Sequence, residues 1–362
     1  MKACVSACLL CLMLVAGAGA ALAVDYELET IVDDLRWPWS VAQLPDGGFL
    51  ITQREGQLVH ISAEGKKQVL KNTPDTLFGG QGGYMDVVLH PDFSTNRRIY
   101  LSYAEGVSKA NGTAIFSGRL ENGAIVDGRQ IFRVAQDKTT PQHYGARMLF
   151  MPDGSLLLTT GDGFEHREDA QDPASQLGKV IRINEDGNAV GTGDDRLGRG
   201  SPVYSYGHRN PQGLALDEKR GIVYLHEHGP RGGDEVNVLA AGNNYGWPAV
   251  TRGVDYSGAY VSPFKEAPGM ENGIWVWTPS IAPSSMAWYE GSRFSDWSGS
   301  LLVGALVDME VRRLRVIDGV VTEEEALFSE LETRIRDVRV FDGSIYLLTD
   351  GEVGQLIEVL PR

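Results

Sequence analysis

The chain has 362 residues, 42% of them hydrophobic, which is enough to bury a large core without covalent staples. Its 48 acidic residues outnumber the 33 basic ones, and the net charge of −15 opposes binding to phosphate backbones and anionic membranes, so nucleic acid is excluded as a partner. The three cysteines, Cys4, Cys8 and Cys11, all lie at the N-terminus, so the rest of the chain has neither a disulfide framework nor a thiolate metal site.

Taken in chain order, residues 1–23 read as a secretory signal: Lys2, an apolar run from about Cys4 to Ala16, then the small-residue cleavage pattern Ala21-Leu22-Ala23. The run is shorter than the ~20 apolar residues of a membrane span. Val5-Ser6-Ala7-Cys8 has the look of a lipid-attachment box but comes too early to leave an apolar core before it. The expected location is therefore periplasmic or secreted, with no membrane insertion of the mature chain, and residues 24–362 form one domain.

Within that domain one phrase recurs. It begins at Leu44, His90, Met151, Leu216, Phe294 and Phe341, as in "LPDGGFLITQREGQLVHI", "MPDGSLLLTTGDG" and "FDGSIYLLTDGEVGQLIEV". Each copy has Asp near a turn, then a β-rich run, then Gly or an acid. Asp and Gly tolerate the backbone of tight turns, and β-branched and aromatic residues suit the strands. Six such units, with no long stretch of helical periodicity, predict an all-β six-bladed β-propeller whose long loops form a pocket at one end of the central channel. A two-sheet sandwich is the alternative, although the chain is large for one. "YELETIVDDL", Tyr26 to Leu35, reads as an additional strand that completes the last blade and covers an open edge. The segments at 75–86, 137–147, 162–178, 190–213 and 226–285 are the long loops.

One of these loops poses a chemical question. "LHEHGPRGGDEVNVL" ends a strand-like run in Gly229-Pro230 and then sets two glycines before Asp234 and Glu235. By spacing alone it is either a solvated acidic turn or a cation site. His226 and His228 alternate on one strand face, a zinc-like pair for which no third ligand is specified. No dinucleotide fingerprint, phosphate loop or nucleophile elbow occurs.

Longer stretches carry more information. "YGHRNPQGLALD" (206–217), "HEHGPRGGDEVNVLAAGNNYGWP" (226–248) and "RIRDVRVFDGSIYLLTD" (334–350), together with "GGQGGYMDVVLHPDF" and "HYGARMLFMPDGSLLLTTGDG", closely resemble the soluble quinoprotein aldose sugar dehydrogenases of the glucose/sorbosone dehydrogenase family. The resemblance runs in order over nearly the whole mature chain. It implies a six-bladed propeller that uses pyrroloquinoline quinone (PQQ) and Ca2+ to oxidise the C1 hydroxyl of an aldose sugar to the lactone, passing electrons to an unknown external acceptor.

The resemblance also implies roles. His143 matches the family's catalytic base and Asp162 the carboxylate that orients it; a base of near-neutral pKa suits removal of a hydroxyl proton, and an electrophilic quinone suits the hydride. Gln81 matches a substrate-pocket glutamine. Arg209 and Asn210 match the pair near the quinone oxygens, where a cation stabilises developing negative charge. Arg334 and Arg336 match the arginines that hold cofactor carboxylates, and their period-2 spacing puts both on one strand face. The carbonyls of Gly229 and Pro230 match a calcium site that also touches PQQ; the Glu235 side chain and the Tyr245 carbonyl match a second. Trp277, Thr278 and Ser280, in "WVWTPSIAPSS", lie nearest to the family's aromatic position, and Ser280 is taken as a cofactor residue. One departure stands out: many relatives carry a PQQ-contacting lysine after the "GAL" of the fifth repeat, where this chain has Val307 and then Asp308, with Arg312 and Arg313 as the nearest substitutes. The rival readings are a non-catalytic calcium-binding propeller that recognises a sugar or a protein partner, and a calcium-dependent lactonase.

Overall fold

The computed structural model describes residues 25–362; the leader at 1–23 lies outside the described residues. The described residues form six four-stranded sheets, antiparallel throughout. In five of them the strands follow chain order from the centre outward, beginning with Pro38–Gln43, Tyr84–Leu89, Met148–Phe150, Pro211–Asp217 and Pro283–Tyr289. These innermost strands and Ile335–Phe341 pack against one another in a closed ring, giving the six-bladed propeller. The sixth blade is built from both ends of the chain: Tyr26–Leu35 pairs antiparallel with Gly354–Pro361. The predicted extra strand is thus the outermost strand of the last blade, and it covers an edge that would otherwise present unpaired backbone groups.

The repeated phrase is the first hairpin of each blade. Pro45–Gly48, for example, turns between Pro38–Gln43 and Phe49–Gln53, and Asp342-Gly343 turns between Ile335–Phe341 and Ser344–Thr349. The second strands are almost wholly buried, as in Phe49–Gln53, Leu156–Thr160 and Ser344–Thr349, because neighbouring blades cover both of their faces. That is why these runs read as continuously apolar rather than alternating.

Two features of the ring position the site. First, the innermost strands carry bulges near their starts: Trp39, Gln212, Ser284 and Arg336 are extra residues opposite a single partner on the next strand. A bulge re-aims the side chain it inserts, and Trp39, Gln212 and Arg336 turn into the mouth of the channel. Second, a buried polar network closes the axis. Arg147 donates to Asp86 (3.3 Å), Asp337 (3.1 Å) and the carbonyls of Gln212 (2.9 Å) and Ser284 (3.1 Å). Asp86 also accepts from Ser40 Oγ at 2.6 Å, and Arg339 pairs with both Asp86 and Asp337. Every blade contributes a group, so one guanidinium cluster ties the ring together and floors the pocket above it.

No helix among the described residues is long and apolar enough to cross a membrane.

Candidate active site

The links between blades and the turns between second and third strands emerge at the same end of the channel, and the chemically suggestive residues gather there. Gln81 and His143 lie on inter-blade links, as do Arg209, Asn210, Ser280 and Arg334; Asp162, Gly229, Pro230, Val307 and Asp350 lie on second-to-third-strand turns. Trp247 reaches this end by another route. The long insertion between Asp234–Leu239 and Trp275–Trp277 climbs beside blade three through a parallel bridge between Tyr206 and Asn244.

His143 and Asp162 form the centre. His143 is 5% exposed and Asp162 1% exposed, and Nδ1 lies 2.6 Å from Asp162 Oδ1. The same oxygen accepts the Phe164 N–H at 2.8 Å, while Oδ2 accepts Trp247 Nε1–H at 2.8 Å. Asp162 is therefore held at both oxygens. Burial pushes its carboxyl up, but the bond to His143 and the charge of Arg209 more than offset this and hold it below the usual carboxylate value. Burial also lowers the His143 pKa against the opposing pull of Asp162. A charged carboxylate beside a neutral imidazole requires the proton on Nδ1, which leaves Nε2 as a free base.

The backbone around His143 is unusual and well supported. His143, Gly145 and Ala146 have φ of 49°, 63° and 78°. A Cβ on Gly161 would stand 2.1 Å from the His143 carbonyl oxygen, so only glycine permits the approach. The His143 N–H donates to Gln81 Oε1 (2.7 Å) and the Gly145 N–H to Asn210 Oδ1 (3.1 Å). Gln81 and Asn210 thus brace the loop that carries His143. Lys138, 1% exposed, adds a third brace: its Nζ donates to the carbonyls of Thr140 and Gln142 and sits 3.0 Å from the centre of the Tyr144 ring.

Arg209 links the His143–Asp162 pair to the Gly-Pro turn. Its N–H donates to Glu227 (2.6 Å), its carbonyl accepts from Asp162 N (2.8 Å), and Nη1 donates to the Gly229 carbonyl (2.7 Å). The guanidinium also lies over Trp247 and Tyr256.

Three adjoining compartments open around these groups. A small one of about 120 Å³ sits over His143, Asp162, Phe164, Arg209 and Tyr256. A second of about 630 Å³ is lined by Gly229, Pro230, Ser280 and Val307. The third, of about 550 Å³, lies over the axis network and contains Trp37, Trp39, Arg54, Gln81, Arg334 and Arg336. Arg334 and Arg336 each donate Nε to Asp350, at 2.9 Å. They meet there by a route other than simple strand alternation: Arg334 precedes the strand and Arg336 is the bulged residue.

The donor set suits a hard divalent cation. Gly229 and Pro230 line the cleft, and the Gly229 carbonyl already accepts from Arg209 Nη1. Glu235 and Glu227 line a small space of about 30 Å³ with Tyr245, beside Arg209 and Gly229. Burial, then the neighbouring Glu227, pushes the Glu235 carboxyl up to about 8. Two carboxylates facing one small space are a donor pair that would suit a calcium ion. Asp234 is committed elsewhere, accepting from Gly229 N, Ser280 Oγ and Ala282 N. Ser280 is thereby tied into the turn as well as lining the cleft. His226 and His228 are joined by no third His, Cys, Asp or Glu in a metal-binding group among the described residues.

Several expectations shift. Trp277 packs between blades, donating to Glu324 at 2.6 Å, and Trp37 and Trp39 are the indoles of the cleft. Arg312 is held by Asp308, Glu310 and Glu324, and Arg313 by Glu325 and Glu323, so neither takes the place of the lysine missing at Val307. Arg54, Lys138, Trp247 and Asp350 were not singled out from sequence. Trp247 and Asp350 do fall within the quoted family-like stretches.

A family model described as Glucose / Sorbosone dehydrogenase matches residues 35–358. The aldose sugar dehydrogenase YliI of Escherichia coli is 40% identical, with 93% of each chain covered. The solved structure of the soluble aldose sugar dehydrogenase from Escherichia coli in the apo-form superposes with a TM-score of 0.89 at 39% identity, covering 93% of this chain and all of that one. The PQQ-bound form of an aldose sugar dehydrogenase from Streptomyces coelicolor gives a TM-score of 0.75 at 26% identity over 94% of this chain and all of that one.

Proposed function

Because the chain belongs to the glucose/sorbosone dehydrogenase family and is an oxidoreductase of the sugar dehydrogenase kind, we propose that it is a PQQ- and calcium-dependent aldose dehydrogenase. It acts on the C1 hydroxyl of a cyclic aldose and releases the lactone, with electrons leaving to an external acceptor. The leader at 1–23 directs it to the periplasm or outside the cell. The observation that carries the reading is the His143–Asp162 dyad, buried and braced beside a cleft of guanidinium groups.

When bound, PQQ supplies the electrophilic centre that accepts the C1 hydride. Arg334 and Arg336 would hold its carboxylates, since guanidinium groups match carboxylates in charge and geometry. The carbonyls of Gly229 and Pro230 would hold one calcium ion, and Glu235 with the Tyr245 carbonyl a second. His143 Nε2 takes the hydroxyl proton, and the Asp162 carboxylate stabilises the imidazolium that results. Arg209 places positive charge where the cleft meets the base. Gln81 and Asn210 keep His143 in its left-handed backbone conformation, so the base is aimed before substrate arrives.

The test is reconstitution. PQQ and calcium are added to purified mature apoprotein, the absorption spectrum is recorded, and an aldose is then added. A bound spectrum that changes to that of the reduced quinone on addition of sugar supports the reading, and His143→Ala is expected to bind PQQ yet leave the spectrum unchanged by sugar. Failure of the wild-type protein to bind micromolar PQQ would overturn it in favour of a calcium-binding propeller or a lactonase.

A further inference from the structure

The cleft above the axis network has a charge imbalance. Arg54, Arg334 and Arg336 line it with a single carboxylate, Asp350. Three guanidinium groups against one carboxylate leave two positive charges unmatched in a partly desolvated space, where charge is costly without a partner.

Asp350 accepts one bond at each oxygen, from the Nε groups of Arg334 and Arg336, and among the described residues the terminal nitrogens of both arginines have no acceptor and are open to a ligand. Arg54 reaches the same cleft from blade one, directly after the strand Phe49–Gln53. Its Nε and Nη2 donate to the carbonyls of Gly82 and Gly80, on either side of Gln81. Those two nitrogens anchor the group, and among the described residues Nη1 finds no acceptor and no carboxylate forms an ion pair with it. The anchoring fixes the guanidinium plane, so little side-chain entropy is lost when a ligand carboxylate arrives. On the blade-five side the cleft gains no cation: Val307 is exposed and Arg312 is bound to three acids.

We infer that Arg54 is a third carboxylate-binding residue of the cofactor cleft, supplying from blade one the positive charge that Val307 does not supply from blade five. The inference rests on the reading that the cleft takes PQQ, whose three carboxylates then meet three guanidinium groups.

The experiment compares wild-type apoprotein with Arg54→Gln and Arg54→Lys in calcium-containing buffer. PQQ is titrated in, and binding is followed by quenching of tryptophan fluorescence, to which Trp37 and Trp39 in the cleft contribute, and by equilibrium dialysis. Loss of a charge-assisted contact in Arg54→Gln is expected to weaken PQQ binding on the order of thirtyfold. Arg54→Lys keeps the charge but cannot bracket both carbonyls, and it should bind within about threefold of wild type. Wild-type affinity in Arg54→Gln overturns the inference, as does equal weakening in Arg54→Lys and Arg54→Gln, which would make the loop anchor the cause. If Arg54→Gln does not fold, Arg54→Lys decides alone by the same threefold criterion. Absence of PQQ binding by the wild type overturns the cofactor reading itself, and that result is separable because it does not depend on any variant.

Discussion

His143 owes its aptitude as a base to two opposed effects on one imidazole. Burial favours the neutral ring, and Asp162 at 2.6 Å favours the protonated one; burial prevails, and the pKa falls below the ordinary histidine value. A base must be unprotonated to act, so kcat/KM for aldose is expected to fall as pH drops, with an apparent pKa below about 6.5, and to be level above neutrality. A pH–rate profile of reconstituted enzyme checks this. Asp162→Asn removes the group that fixes the Nδ1–H tautomer and supports the imidazolium. Its kcat should fall by a factor on the order of 10² to 10⁴, as when an orienting aspartate is lost from other histidine dyads. The residual activity should titrate at still lower pH, and PQQ affinity should be little changed. His143, Asp162 and Arg209 came from the sequence because they sit in long family-like stretches. Trp247 lies in one of those stretches too, but nothing in "YGWP" says that its indole reaches back 85 positions to Asp162.

The elements that aim these side chains depart from regular geometry. Bulges at the starts of innermost strands deliver Trp39, Gln212 and Arg336 to the channel mouth. A bulge is an insertion relative to the partner strand, so the period-2 pattern of either strand alone does not reveal it. The loop from Lys138 to Ala146 is another such element. Burial lowers the Lys138 pKa to about 6, while Asp162 opposes the shift. Its amine is satisfied by two carbonyls and an aromatic face that flank His143 on both sides. Lys138→Met keeps the bulk and loses these bonds. It is expected to lower kcat about tenfold through loosening of the base, to leave PQQ affinity near wild type, and to cost ~1–3 kcal/mol of stability in urea unfolding. An unchanged kcat with the same loss of stability would make Lys138 a structural lysine only.

At the scale of the whole molecule, closure of the ring and formation of the site are one event. The axis network joins Ser40, Asp86, Arg147, Gln212, Ser284, Asp337 and Arg339 from all six blades, and the arginine-lined cleft lies directly above it, with Trp39 over the Arg147 guanidinium. Arg147→Met would leave Asp86 and Asp337 buried with Arg339 as their remaining cation. Breaking one side of such a network is expected to cost ~3–5 kcal/mol in denaturant unfolding. For Asp86, burial pushes the pKa up, but Arg339 and Arg147 outweigh it and hold it below 3.8. Its contribution is therefore present above the ordinary carboxylate pKa and is lost as pH falls through the lowered value. Acid unfolding of Arg147→Met should accordingly begin at higher pH than in the wild type.

The hairpin repeats, the closing strand at Tyr26–Leu35 and the family-like stretches were legible in the chain because turn chemistry and strand propensity are local, and a six-fold repeat multiplies a weak local signal. The sequence by itself determined the number of blades, the place of chain closure and the pairing of His143 with Asp162. Only the tertiary structure decided that Arg54 shares a cleft with Arg334 and Arg336, that Asp350 bridges the latter two, that Arg312 is consumed by neighbouring acids, and that Trp247 holds Asp162. Those facts depend on which side chains a closed ring brings together and on which charges are already paired. In a propeller, residues more than 250 positions apart become neighbours across one channel, and no local pattern encodes that distance.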